Sequence, residues 1–176
     1  VKAIGSGNSL TLEYQGDHNG TATITVTAIS NGQVADDFFL VTVTGVNDAP
    51  EIIQGVGPLT VSMSEDGNPT AWTAPELNAN DVDTAPESLN WSVSSSATNG
   101  VATVDGNGSQ PPTFTYLPNL DFQGSDSFVA QVSDGNLTDN ITINVNVSGV
   151  NDAPVITQGA GPLAKIVAEN FTTTWL

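Results

Sequence analysis

The 176-residue sequence predicts an all-β chain built as a tandem array, and two observations carry that expectation. The segment GVNDAP occurs at Gly45–Pro50 and again at Gly149–Pro154, a spacing of 104 residues. Aligning Gly45–Asp66 with Gly149–Asn170 gives 13 identities in 22 positions, and a period this long is one whole domain rather than a solenoid turn. In addition, apolar and polar residues alternate with period two in Phe39–Val43, Phe128–Val132 and Ile141–Val147. Such alternation marks strands with one wet face, as in antiparallel sheets. No segment carries a helical apolar stripe.

The register of the array follows from the repeat. Asn19-Gly20-Thr21 aligns with Gln123-Gly124-Ser125, again 104 apart, so residues 1–45 read as the second half of a unit. Residues 46–149 read as a complete unit and residues 150–176 as the start of the next. The chain is expected to be a window on a longer array.

Within the complete unit, strands are expected near 51–64, 69–74, 88–95, 100–104, 112–117, 126–133 and 137–148, the first split by the Gly55–Pro58 break. Seven short strands in about 100 residues suit an immunoglobulin-like Greek-key β-sandwich. Asp134-Gly135, between two alternating runs, is a hairpin signal, with Asn31-Gly32 as its counterpart in the earlier unit. The NDAP linker should be short and stiff, because Pro restricts both itself and the residue before it.

Composition removes several function classes. The formal net charge is −17, from 19 acids against Lys2 and Lys165, with no Arg. A phosphate-binding surface needs cations to displace counterions, so nucleic acid is excluded as a partner and anionic membrane surfaces are disfavoured. No apolar run is long enough to span a bilayer, so membrane insertion is not expected. There is no Cys, hence no disulfide or thiolate chemistry. His18 is the single histidine and aligns with Phe122, which makes it a packing or surface residue rather than a catalytic base. No catalytic residue is assigned and the chain is expected not to be an enzyme. Trp72 and Trp175 fall at nearly equivalent repeat positions and Trp91 lies in an alternating run, so all three read as core.

Of the 19 acids 13 are Asp, and they gather at Glu65-Asp66, Asp81-Val82-Asp83, Asp121, Asp134 and the linker Asn47-Asp48. A DxD pair in an extended loop can turn both carboxylates toward one ion. Calcium takes six to eight oxygens from carboxylate, carbonyl and amide donors, which this set contains. Asp and Asn are also common in turns through local hydrogen bonding alone. Asp36, Asp37, Asp105, Asp126 and Asp139 read as solvated edges or turns.

Asp81–Val93 (DVDTAPESLNWSV) resembles the cadherin DxD segment that precedes a strand. Leu120-Asp121 followed by Ser127–Gly135 is similar to the cadherin LDxE strand with its Asp-Gly, and GVNDAP resembles the shortened linker of bacterial cadherin-like tandem repeats. The resemblance covers nearly the whole chain. It implies ligand sets drawn from both sides of each linker. Around the first these are Asp17, Asn47, Asp48, Asp81, Asp83 and Asp134. Around the second they are Glu65, Asp121, Asn151 and Asp152, with their remaining partners beyond Leu176. Asn19 and Gln123 stand where the cadherin pattern has Glu, and the linker is short, which implies fewer ions per junction than in cadherins.

The function so implied is a Ca²⁺-stiffened spacer of an extracellular adhesin or secreted matrix protein, at the cell surface. Its partners are neighbouring repeats of the same chain, with other copies or surface glycans as further candidates. Two other readings stay open: a carbohydrate-binding or targeting module of a secreted enzyme, and a homophilic filament-forming domain.

Overall fold

A computed structural model describes residues 2–6, 9–155 and 161. Trp175, Lys165 and nearly all of the third unit lie outside the described residues. Twelve strands form among them, with one short 3₁₀ turn at Pro86–Ser88. The first part of the chain contributes two hairpins, β1 (Lys2–Ser6) with β2 (Ser9–Glu13) and β3 (Gly20–Ser30) with β4 (Gln33–Val43). Asn31 and Gly32 close β3–β4 with φ of 50° and 78°. Two successive positive φ values are what a two-residue type I′ hairpin requires, and Asn-Gly is the pair best suited to them.

The complete unit contributes β5 (Glu51–Ile52), β6 (Leu59–Ser64), β7 (Ala79–Asn80), β8 (Asn90–Ser95), β9 (Gly100–Asn107), β10 (Thr113–Pro118), β11 (Gly124–Ser133) and β12 (Thr138–Ser148). Six of these are hydrogen-bonded in the order β10-β9-β8-β11-β12-β6, and β5 pairs separately with β7. β11 and β12 are antiparallel from Gly124↔Val147 to Ser133↔Thr138, whereas β6 runs parallel to β12 from Ile143↔Leu59 to Ser148↔Ser64. The first expected strand is indeed interrupted, at Ile53–Pro58.

The alternation decides the core. Phe128, Ala130 and Val132 of β11 and Ile141, Ile143 and Val145 of β12 all point inward and are buried, as are Leu89 and Trp91. Phe128 stacks on Tyr116 at 6.0 Å and meets Phe114 edge-on at 6.2 Å. The Trp91 indole N–H, which would be costly to bury unpaired, donates to the Gly108 carbonyl at 2.9 Å. Trp72 packs partly buried against Phe114 and Tyr116. Both described tryptophans therefore belong to the core, and the chain is an immunoglobulin-like, all-β fold.

One expected strand is not observed. Residues 69–74 run without ladder bonds. Pro69 and Pro75 flank the segment and remove two donors, while the Thr70 carbonyl accepts from Ser64 N at 2.8 Å and closes a loop instead. Trp72 is held there by its side chain, which donates to the Phe114 carbonyl at 3.2 Å.

Candidate inter-domain junction

The linker leaves β4 at Val43 and reaches β5 at Glu51, and Pro50 is already buried. Between them, carboxylates of the complete unit clip the backbone. Asp48 N donates to Asp83 Oδ2 at 2.8 Å. Asn47 Nδ2 donates to Asp134 Oδ2 at 2.6 Å and to the Asp48 carbonyl at 2.9 Å. Asp139, expected to be a solvated residue, instead accepts from Ile52 N at 2.8 Å and anchors the start of β5. The contacts made by Asp83, Asp134 and Asp139 join residues 35 or 87 positions apart, so the linker is held by tertiary structure as well as by its proline.

The DxD segment folds as an Asx turn. Asp81 Oδ1 accepts from the backbone N–H of both Asp83 and Thr84 at 2.8 Å. Its other oxygen, Oδ2, is buried and has no hydrogen-bond partner. Such an atom carries the desolvation cost of a buried acceptor with nothing to offset it. Asp134 is arranged differently. Oδ1 accepts from Asn136 N and Leu137 N at 2.6 and 2.7 Å, closing the β11–β12 loop while Oδ2 holds Asn47. These bonds, led by that from Leu137, draw its pKa below the ordinary aspartate value.

On the other side of the linker, Asp17, His18 and Asn19 line a depression of about 220 Å³ that also takes in Asp48 and Asp83. His18 is exposed, its Nδ1 2.8 Å from the Gly16 carbonyl. Desolvation at the junction, followed by repulsion from Asp17, Asp83 and Asp81, pushes the Asp48 carboxyl above its usual range. No positive side chain among the described residues counts among the charges acting on Asp48, and Lys2 lies against Glu13 at 3.9 Å.

The second junction repeats part of this design. Asp17 and Asp121, equivalent in the repeat, share the left-handed conformation with φ of 59° and 57°. Glu65 and Asp121 line one depression of about 540 Å³ together with Asp66. Glu65 Oε1 accepts from Val150 N at 2.6 Å, holding the second linker as it begins. Asn151 and Asp152 are exposed, and Asn151 Nδ2 donates to the Asp152 carbonyl at 3.2 Å, matching Asn47 on Asp48. In both linkers the leading glycine is overlaid by a side chain from the unit before. A Cβ on Gly45 would lie 2.9 Å from Asn19 Nδ2, and one on Gly149 would lie 2.6 Å from Gln123 Oε1.

The structure thus brings Asp17, Asp48, Asp81 and Asp83 to one place, ties Asn47 to Asp134 beside it, and sets Glu65 and Asp121 together at the other end. Among the described residues no three acidic or imidazole side chains are already gathered as a metal centre.

The profile of the bacterial cadherin-like domain matches residues 47–149. The chain belongs to the bacterial cadherin-like domain family. Membership supports an extracellular module of structural or adhesive type. Comparison with characterised proteins gave no significant match. Among solved structures, an endo-fucoidan hydrolase of glycoside hydrolase family 107 aligns with 90% of this chain and 25% of its own, at 17% identity and a TM-score of 0.38. The extracellular cadherin domains 1–5 of protocadherin gamma B2 align with 76% of this chain and 27% of their own, at 17% identity and a TM-score of 0.45. The cadherin-like chain therefore spans about a quarter of each structure. No helix among its described residues is long and apolar enough to cross a membrane.

Proposed function

We propose that this cadherin-like chain is a non-enzymatic structural spacer, at the cell surface or in a secreted protein, whose junctions are stiffened by Ca²⁺. The observation that carries the reading is the buried, unpartnered Oδ2 of Asp81, in a junction where Asp48 is crowded by Asp17 and Asp83 and no described basic side chain offsets them. The donor set is all oxygen, carboxylate and amide, which fits a hard divalent cation. Asp17 would contribute from the preceding unit, Asp48 from the linker, and Asp81 and Asp83 from the complete unit. Asp134 positions Asn47 rather than offering two free oxygens. Glu65, Asp121, Asn151 and Asp152 are the corresponding candidates at the second junction.

Mutual repulsion of these carboxylates favours a joint that opens. Bound calcium would supply the opposing charge and the coordination that turn the same residues into a brace. Neighbouring repeats are then the immediate partners, and extracellular modules of this sort bind with dissociation constants of about 10⁻⁴–10⁻³ M. Thermal unfolding and small-angle scattering of the chain, in calcium and in chelator, test this. At tenfold excess over the dissociation constant the calcium form should gain about 1.4 kcal/mol and a longer, less flexible profile. Asp81→Asn retains the Oδ1 acceptor for Asp83 and Thr84 but removes the charge, and should lose the calcium response while staying folded. Identical melting and scattering with and without calcium would refute the reading.

A further inference from the structure

The outward face of β11, β12 and β6 carries a groove of about 560 Å³, on the end of the sheet where β12 runs toward the second linker. Its floor is two cross-strand pairs, Ser125–Asn146 and Ser127–Asn144, continued by Thr60 of β6. One wall is the Thr98-Asn99 turn between β8 and β9. Apart from Asp126, the described residues that line it carry a hydroxyl or a carboxamide, each able to donate and accept.

Two features show the groove to be held in shape. Asp126, expected to be solvated, is 8% exposed and lies beneath it. Its carboxylate accepts from Thr98 N at 3.1 Å, Asn99 N at 2.8 Å, Ser127 N at 2.9 Å and the Tyr116 hydroxyl at 2.9 Å. The wall is thereby bonded to the core, and the one charge nearby is consumed in doing so. Ser125 Oγ donates to Asn146 Oδ1 at 3.0 Å, which orients that carboxamide and leaves its Nδ2 as a donor.

The geometry points to a binding site for a neutral oligosaccharide, recognised through its hydroxyls by Asn144, Asn146, Ser127 and the Thr98-Asn99 wall. The volume lies within the ordinary range for small-molecule sites, about 300–1,000 Å³. A chain of net charge −17 would repel sulfated or uronic glycans, which selects for uncharged sugars. No aromatic ring among the described residues lines the groove, so single-site affinity should be weak. The preceding unit serves as an internal contrast. Thr21, Thr23, Leu40 and Thr42 occupy the positions of Ser125, Ser127, Asn144 and Asn146, so its carboxamides are missing.

The experiment is an amide-resolved NMR titration of the whole chain with maltotriose, cellotriose, xylotriose, mannotriose and chitotriose, and with dextran sulfate as the polyanion. It is run in both calcium and chelator, so that its outcome is independent of the metal at the junctions. The expected result is saturable shifts from at least one neutral sugar, confined to Thr98, Asn99, Ser125–Ser127 and Asn144–Asn146. Asn144→Leu, which installs the preceding unit's residue, should weaken binding about tenfold or more. Ser127→Thr, likewise taken from that unit, should retain it, and unchanged melting of both variants verifies folding. Absence of groove shifts with every neutral sugar would overturn the inference. So would undiminished binding by folded Asn144→Leu, or tighter binding of dextran sulfate at the same residues.

Discussion

The hairpins β3–β4 and β11–β12 are the same piece of structure seen twice, 104 residues apart. They share a register, Gly20↔Val43 against Gly124↔Val147, and each starts at a glycine of nearly equal φ, 133° and 136°. Their surroundings differ. β11 and β12 are flanked by β8 and β6 and bury their inward residues almost completely, whereas among the described residues β3 and β4 pair only with each other. Val26 and Phe39, on the inward side by register, remain 48% and 39% exposed. Alternation and a turn suffice for a hairpin, which is local. A core needs strands brought from far along the chain, here the parallel β6 and the antiparallel β8.

The largest test of that contrast compares two residues at one repeat position. Ile143 is fully buried, and Ile143→Ala should cost about 2–5 kcal/mol through lost burial and the cavity left behind. Phe39→Ala, its counterpart, removes a larger side chain but should cost less, about 1–2 kcal/mol, because Phe39 is still 39% exposed. Urea unfolding followed by tryptophan fluorescence reports on the complete unit, where Trp72 and Trp91 sit. Comparable losses from the two substitutions would mean that β3–β4 packs into the cooperative unit after all.

Asp126 gives a second, smaller test, since Ala22 holds its place in the first hairpin. Burial alone would raise its pKa, but hydrogen bonds from Asn99 and Thr98, then Tyr116 and Ser127, outweigh it and set the value below the ordinary one. The stabilisation it provides is fully present above the unfolded aspartate value of about 3.9, and is lost as pH falls from there through the folded value. Asp126→Asn should therefore lower stability at neutral pH by about 1–3 kcal/mol and flatten the acid limb of stability against pH. Urea midpoints between neutral and acid pH measure both. An unchanged acid limb would show that other carboxylates dominate it.

Asp126 also shows how much was legible in the sequence. The alternation that placed Phe128, Ala130 and Val132 inward placed Asp126 on the same side, yet its type suggested solvent. Only the Thr98-Asn99 turn and Tyr116, 10 to 28 residues away, make burial affordable there. Strands β8 to β12 were readable because period-two patterning is a local property. Residues 69–74 were misread because a core tryptophan between two prolines imitates a strand without its donors. At the junction, the cadherin resemblance singled out Asp17, Asn47, Asp48, Asp81, Asp83 and Asp134 as one set, without the bonds that join them. The anchoring by Asp139 and the tie between Asn47 and Asp134 depend on contacts 87 residues long, for which no local signal exists.

The finest comparison is between the two linkers at their leading glycines. Neither Gly45 nor Gly149 has a positive φ, so the backbone itself accepts a side chain. The obstacle is what lies above, Asn19 Nδ2 at 2.9 Å in one case and Gln123 Oε1 at 2.6 Å in the other. Both are the ends of side chains that can rotate away, and loss of glycine's freedom in the unfolded chain favours alanine by about 0.4–1 kcal/mol. Gly45→Ala and Gly149→Ala should each shift stability by less than about 1 kcal/mol, with Gly149→Ala the less favourable of the two. Combining Gly149→Ala with Gln123→Ala should recover the difference, as paired substitutions in contact do. If the double variant were no better than Gly149→Ala alone, the cost would lie in the linker backbone. The glycine of GVNDAP would then serve the turn itself and not the side chain laid across it.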